Sequence, residues 1–146
     1  MIPILIGIGS GIVLILLFQL LRRFDKRLVY GLILTGIGFI YVGFTWSNLQ
    51  AIIISSVQAI LFLTFAYFGI KSSLNLLAAG YFLHGTWDLV YAPFAPPHLI
   101  PPGYDLFCLS IDFTIGFYLL YYAYQNAKNK ASNSLANQNT VNQNTE

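Results

Sequence analysis

Charge is what this sequence has least of. In 146 residues there are seven Lys or Arg and five Asp or Glu, so charged side chains make up 8% of a chain that is 57% hydrophobic. A water-soluble domain of this size needs a charged surface over its core, and so few charges cannot make one. The formal net charge of +2 carries no implication of a nucleic-acid partner, and none is expected. Cysteine is nearly missing too: Cys108 stands alone, which excludes an internal disulfide and any C-x-x-C redox or zinc motif. The first apolar run has no basic residue ahead of it and no small-residue cleavage site behind it, unlike a removable signal peptide. Proline is scarce except in one loop, where five of the six prolines fall between Ala92 and Gly103.

Apolar runs are abundant. Crossing about 30 Å of hydrocarbon takes about 20 apolar residues, and five segments qualify: 2–21, 28–44, 51–70, 74–91 and 106–127. The charges give an independent check, because Lys and Arg near helix ends favour the cytoplasmic side. With five alternating spans, Arg22, Arg23, Lys26, Arg27, Lys71, Lys128 and Lys130 all fall on one side, whereas the connections Thr45 to Gln50 and Ala92 to Asp105 hold no Lys or Arg. Losing or merging one helix spoils that segregation. The expected fold is an all-α membrane protein, a bundle of five transmembrane helices with the N-terminus outside and the C-terminus cytoplasmic. The expected setting is the bacterial plasma membrane, and lipid is the first partner.

Aromatic residues collect near the expected helix ends, a placement suited to the membrane interface: Tyr41, Phe44, Trp46, Tyr91 and Tyr104 outside, Phe24, Tyr30, Tyr67, Tyr121, Tyr122 and Tyr124 inside. From 128 to 146 the chain is Asn, Gln, Ser, Thr and Ala rich, with too little apolar surface to fold alone, and it is expected as a disordered cytoplasmic tail. Gly7-x-x-x-Gly11 in the first helix and Gly31, Gly36, Gly38 and Gly43 in the second provide small-residue faces for close helix approach. Those two helices are expected to pack together or against a second copy, so a homodimer or a membrane-complex partner stays open.

Polar residues inside the apolar runs are few and concentrated. Gly80-Tyr81-Phe82-Leu83-His84-Gly85-Thr86-Trp87-Asp88 is followed, beyond the Pro-rich loop, by Cys108-Leu109-Ser110-Ile111-Asp112. His84 and Asp88 share one helix face at i and i+4, as do Cys108 and Asp112. If the fourth and fifth helices form a hairpin with its apex near His98, equal rise per residue sets His84 level with Asp112, Asp88 level with Cys108, and Gly80 level with Gly116. Gln58 on the third helix reaches a similar depth. The loop is stiffened by its prolines and can either join the helices or roof the cluster, with His98 as an external ligand.

An Asp at the centre of a membrane helix costs roughly 2.5 to 3.5 kcal/mol, and such residues rarely face lipid. One explanation is structural: a His84 to Asp112 bond glues the hairpin, although interhelical hydrogen bonds return only about 0.6 kcal/mol on average. A second is that His84, Asp88 and Asp112, with Cys108, Trp87 and Gln58 around them, bind a small polar solute entering from outside or exchange protons with it. Only Asn75 and Gln19 offer amide groups toward the inner half. A third is a metal-dependent membrane enzyme, with His84, Asp88, Asp112 and His98 or Cys108 as ligands, though two histidines are few and no H-E-x-x-H pattern occurs. Ser110 lacks a nucleophile-elbow pattern.

Leu83-His84-Gly85-Thr86-Trp87-Asp88, the prolines, then Phe107-Cys108 and Asp112 resemble a family of small polytopic membrane proteins of unknown function, marked by His-x-x-Trp-Asp, a Pro-rich loop and Cys-x-x-x-Asp. The resemblance covers about the last third of the membrane segment. It implies His84, Trp87, Asp88, Cys108 and Asp112 as signature positions and supplies no activity; Tyr91 stands where that family has a further histidine. The expected function is binding or proton-coupled handling of a small solute between the fourth and fifth helices, with a structural or assembly subunit as the nearest rival and a metal-dependent enzyme third. No cofactor is expected.

Overall fold

A computed structural model describes residues 1–21, 23–95 and 98–143, with the backbone alone from 135 onward. Within these residues the chain is all-helical: α1 (Ile2–Leu20), α2 (Lys26–Phe44), α3 (Leu49–Lys71), α4 (Leu74–Tyr91) and α5 (Tyr104–Gln143), with a 3-10 turn at Ala92–Phe94. Polar caps start three of the helices. Asp25 accepts from the Arg27 amide at 2.8 Å, Asn48 from the Ala51 amide at 2.9 Å and Ser73 from the Asn75 amide at 3.2 Å. Each side chain satisfies a donor that the first helical turn leaves orphaned.

Four helices, α1, α2, α3 and the Tyr104–Ser134 part of α5, are long and apolar enough to cross a membrane. α4 falls short of that measure because Asn75, His84, Thr86 and Asp88 dilute it. It is also deeply enclosed, with Leu77, Ala78, Tyr81, His84 and Asp88 all at 0% exposure. A helix surrounded by other helices has little need of an apolar surface of its own. α1 is the reverse case: only Gly7 and Gly11 are buried along it.

The helices pack α1 on α5, α5 on α4, α4 on α3 and α3 on α2, with α2 also reaching α4. Of the two packings expected for the glycine faces of α1 and α2, together or against a second copy, the first is therefore corrected. The glycine faces are used, but on other partners: a Cβ at Gly7 would meet Ser110 and the Phe107 carbonyl, at Gly11 Thr114, at Gly31 Ile70 and at Gly38 Phe62 and Ala59. Gly9, Gly36 and Gly43 face open space.

At the end that carries the basic residues, Tyr30, Leu34, Phe62, Ala66, Leu74, Leu77, Ala78, Tyr81, Ile115 and Leu119 form one apolar core. The Tyr81 hydroxyl ties α4 to α2 by donating to the Tyr30 carbonyl at 2.7 Å. Tyr30, Tyr41 and Tyr91 are thus interior residues and not interface anchors, at 0%, 1% and 7% exposure, whereas Trp46, Phe24, Tyr67, Tyr121 and Tyr124 lie outside at 56% or more. The expected tail also differs in form. α5 continues unbroken to Gln143, and its side chains are exposed from Asn126 to Ser134. An already nucleated helix extends at small cost, so the polar sequence stays helical to Gln143.

Candidate functional site

α4 and α5 come together where Gly85 has no side chain. A Cβ there would lie 3.2 Å from Leu109 Cα and 3.3 Å from Asp112 Cβ, so this glycine lets the two helices approach closely enough for short side chains to meet. One residue earlier, His84 Nδ1 donates to Asp112 Oδ2 at 2.8 Å. The same nitrogen is 3.3 Å from Asp88 Oδ2, one turn along α4. His84 and Asp88 are 0% exposed and Asp112 1%. One imidazole therefore sits between two carboxylates, and among the described residues His84 is the only ion-pair partner that either aspartate has.

Aromatic rings enclose the imidazole. Phe62 of α3 packs edge-on at 4.7 Å between centroids, and Tyr41 of α2 does so at 6.2 Å. Tyr41 also touches the rings of Tyr91 and Tyr104. Within this enclosure several polar atoms have no hydrogen-bond partner: both oxygens of Asp88, Nε2 of His84, the hydroxyls of Tyr41 and Ser55, and both amide atoms of Gln58. Buried polar groups are nearly always paired, and an unpaired one costs about 1 to 3 kcal/mol. Gln58 stands one turn from Phe62 toward the 92–105 loop, as Asp88 stands one turn from His84, so the amide and the carboxylate share a level. Among the described residues, every buried unpaired side-chain polar atom except the Tyr30 hydroxyl is in this enclosure or one turn beyond it, which is unusual for a site that only holds helices together.

Residues 2–125 match the family of unknown function DUF6010. The chain belongs to that family. The DUF6010 match takes in the whole enclosure and ends before the exposed part of α5. No curated protein and no solved structure matches the chain.

In this DUF6010 member the sequence-selected residues divide into three groups. His84, Asp88 and Asp112 converge, each offering a ligand atom within 4.8 Å of the others'. Gln58 and Cys108 are buried beside them, both at 2% exposure; Cys108 lies one turn from Asp112 but outside the convergent set. Trp87 is turned away, half-buried and stacked on Tyr91 at 5.7 Å. His98 is a correction: it is exposed on the loop, with a left-handed φ of 77°, and is not among the converging ligands. Its neighbours Pro96 and Pro97, and with them the full expected course of the Pro-rich loop, lie outside the described residues. Ser110 donates to the Phe107 carbonyl at 2.9 Å and is occupied in packing.

The expected register holds at one level and fails at another. Gly80 is packed by Leu34 and Phe65, and Gly116 by Phe82, so the two glycines do not face each other. The face of α4 that carries Gly80, His84 and Asp88 looks into the centre of the bundle, and His84 reaches across to α5. Tyr41 and Phe62 were missed as site residues. The signal for Tyr41 is present in the stripe Tyr30, Gly31, Leu34, Gly38 and Tyr41, which marks the buried face of α2, and that for Phe62 in the stripe Ser55, Gln58, Ala59, Phe62 and Ala66 of α3, both at helical spacing.

Two carboxylates sharing one imidazole leave the cluster with surplus negative charge when ionised, in a place where each unbalanced ion costs several kcal/mol. Such an arrangement favours cations and hydrogen-bond donors over anions.

Proposed function

We propose that the chain is a multi-pass membrane protein in which all five helices cross the bilayer, with the N-terminus outside and the C-terminus in the cytoplasm. In this reading it binds a small, electropositive polar solute at the His84, Asp88 and Asp112 cluster in the outer half of the membrane. One observation carries the binding site: Asp88 is 0% exposed and its oxygens make no well-formed hydrogen bond, with Oδ2 3.3 Å from a His84 nitrogen already bonded to Asp112. A carboxylate kept only to join helices should be saturated with donors, as Asp112 is supplied by His84.

The orientation rests on Lys26, Arg27, Lys71, Lys128 and Lys130 standing at one end of the helices. The other end is the side from which we read the solute as entering. A cavity of about 300 Å³ lies there, lined by Asn48, Gln50, Ala51, Ile54, Tyr91 and Phe94. Tyr91 forms part of this wall and contacts Tyr41 on its inner side. Inward of His84, the interior is the apolar core around Tyr81, Leu77 and Ile115, which supports a site that opens outward over one that conducts through the bundle.

The test is a thermal-shift screen of the full chain in detergent or nanodiscs against small amines, amides and inorganic cations. At least one of them should raise the melting temperature of the wild type and leave Asp88→Asn unmoved. If no solute separates the two proteins, and substitutions at His84, Asp88 and Asp112 all lower accumulation alike, the cluster is structural.

A further inference from the structure

The exact solute class follows from the donor set, and the inference here rests on the binding site proposed above. We infer that the cluster is a site for one divalent transition-metal cation, held by His84 Nδ1, Asp88 Oδ2 and Asp112 Oδ2. The first argument is charge. Two aspartates and a neutral imidazole sum to two negative charges, and no Lys or Arg pairs with either aspartate among the described residues. A divalent cation balances that sum with nothing left over, whereas a monovalent one leaves an unbalanced carboxylate in the membrane interior.

The second argument is geometry. Imidazole nitrogen and carboxylate oxygen bind zinc and similar ions at about 2.0 to 2.2 Å, which sets neighbouring ligand atoms roughly 3 to 3.5 Å apart. His84 Nδ1 stands 2.8 Å from one carboxylate oxygen and 3.3 Å from the other, and the three ligand atoms all lie within 4.8 Å of one another. They come from two helices that Gly85 holds in close contact, so small side-chain rotations close the set without backbone movement. With the metal bound, the neutral imidazole would carry its one proton on Nε2, leaving Nδ1 free to ligate.

The third argument comes from the residues around the triad. Tyr41 is 1% exposed and Gln58 2%, and the Tyr41 hydroxyl and the Gln58 amide are unpartnered. Tyr41 packs on the His84 ring, and Gln58 is at the level of Asp88. These groups supply further oxygen ligands, or partners for water on the ion. The mixed nitrogen and oxygen set suits manganese, iron, cobalt or zinc, and the imidazole disfavours calcium and magnesium, which prefer oxygen alone.

The experiment uses the full chain, purified on a tag without histidine, stripped with chelator and titrated with cobalt(II). The inference expects saturable binding of one cobalt per chain, with a ligand-field absorption spectrum, weakened more than tenfold in both Asp88→Asn and Asp112→Asn. Asp88→Asn keeps the size of the side chain and leaves the His84–Asp112 bond in place, and its circular dichroism and elution profile verify that it is folded. Absence of cobalt binding by folded wild-type protein overturns the inference, as does binding that survives both substitutions. If cobalt fails while an amine stabilises the wild type and not Asp88→Asn, the metal is refuted and the solute site stands. If no solute binds through Asp88, both fall.

Discussion

His84 and Asp112, 28 positions apart in the chain, meet at 2.8 Å with both side chains buried. The contact joins α4 to α5 in the half of the bundle that faces the 92–105 loop. Its energetic meaning depends on Asp88, which shares the same imidazole nitrogen at 3.3 Å. Removing the imidazole leaves two buried carboxylates facing each other. His84→Ala should therefore cost about 3 to 5 kcal/mol, the range for breaking a buried ion pair from one side, read as a loss of membrane accumulation and of melting temperature.

Gly85 should be intolerant of size. Its Cβ position is 3.2 Å from the Leu109 backbone, which cannot rotate away. Gly85→Val is expected to push α4 from α5, lowering stability by about 1 to 3 kcal/mol and abolishing any solute-induced shift. Gly36→Val, at a position facing open space, is the control and should change neither reading.

The docking of α1 on α5 makes a similar contrast within a single helix. Gly7 is packed against Ser110 and the Phe107 carbonyl, while Gly9 faces open space. Gly7→Val should release α1 and raise its protease sensitivity in detergent, with a cost of about 1 to 3 kcal/mol. Gly9→Val should leave the digestion pattern unchanged.

Topology is accessible by labelling. In a Cys108→Ser background, cysteines at Ser47 and Phe94 should react with an impermeant maleimide applied to intact cells. A cysteine at Arg23 should react only after permeabilisation. The opposite pattern reverses the orientation.

The number of helices and the meeting of His84 with Asp112 were legible in the sequence, for different reasons. Apolar runs of membrane length leave few alternatives for the helices, and a hairpin with a short loop fixes which levels face each other. Partner choice among non-adjacent helices was not legible. Gly7 and Gly11 announce a close contact without naming its partner, and Ser110 and Thr114 of α5, themselves small, form the matching surface. Rotation about α4 was also hidden, because whether Gly80 faces α5 or the bundle centre is decided by bulky neighbours such as Leu34 and Phe82. Tyr41 looked like an interface ring because it lies near a helix end. Its burial comes from α4 and α5, which begin far along the chain.

The Tyr81 hydroxyl offers a test of the apolar half that leaves the polar cluster intact. Tyr81→Phe removes only its 2.7 Å bond to the Tyr30 carbonyl and should cost about 1 kcal/mol while preserving solute binding through Asp88.

The most direct measurement is the melting temperature of Asp88→Asn beside wild type, in chelator-treated buffer and again with saturating solute. Two buried carboxylates share the one His84 nitrogen, and the surplus negative charge is a burden on the fold until something binds it. The solute-free variant should therefore melt at or above the wild type, and only the wild type should gain from the solute, by about 2.7 kcal/mol at a hundredfold excess over Kd. A variant that melts well below the wild type without solute would show Asp88 to be a structural residue and contradict the account.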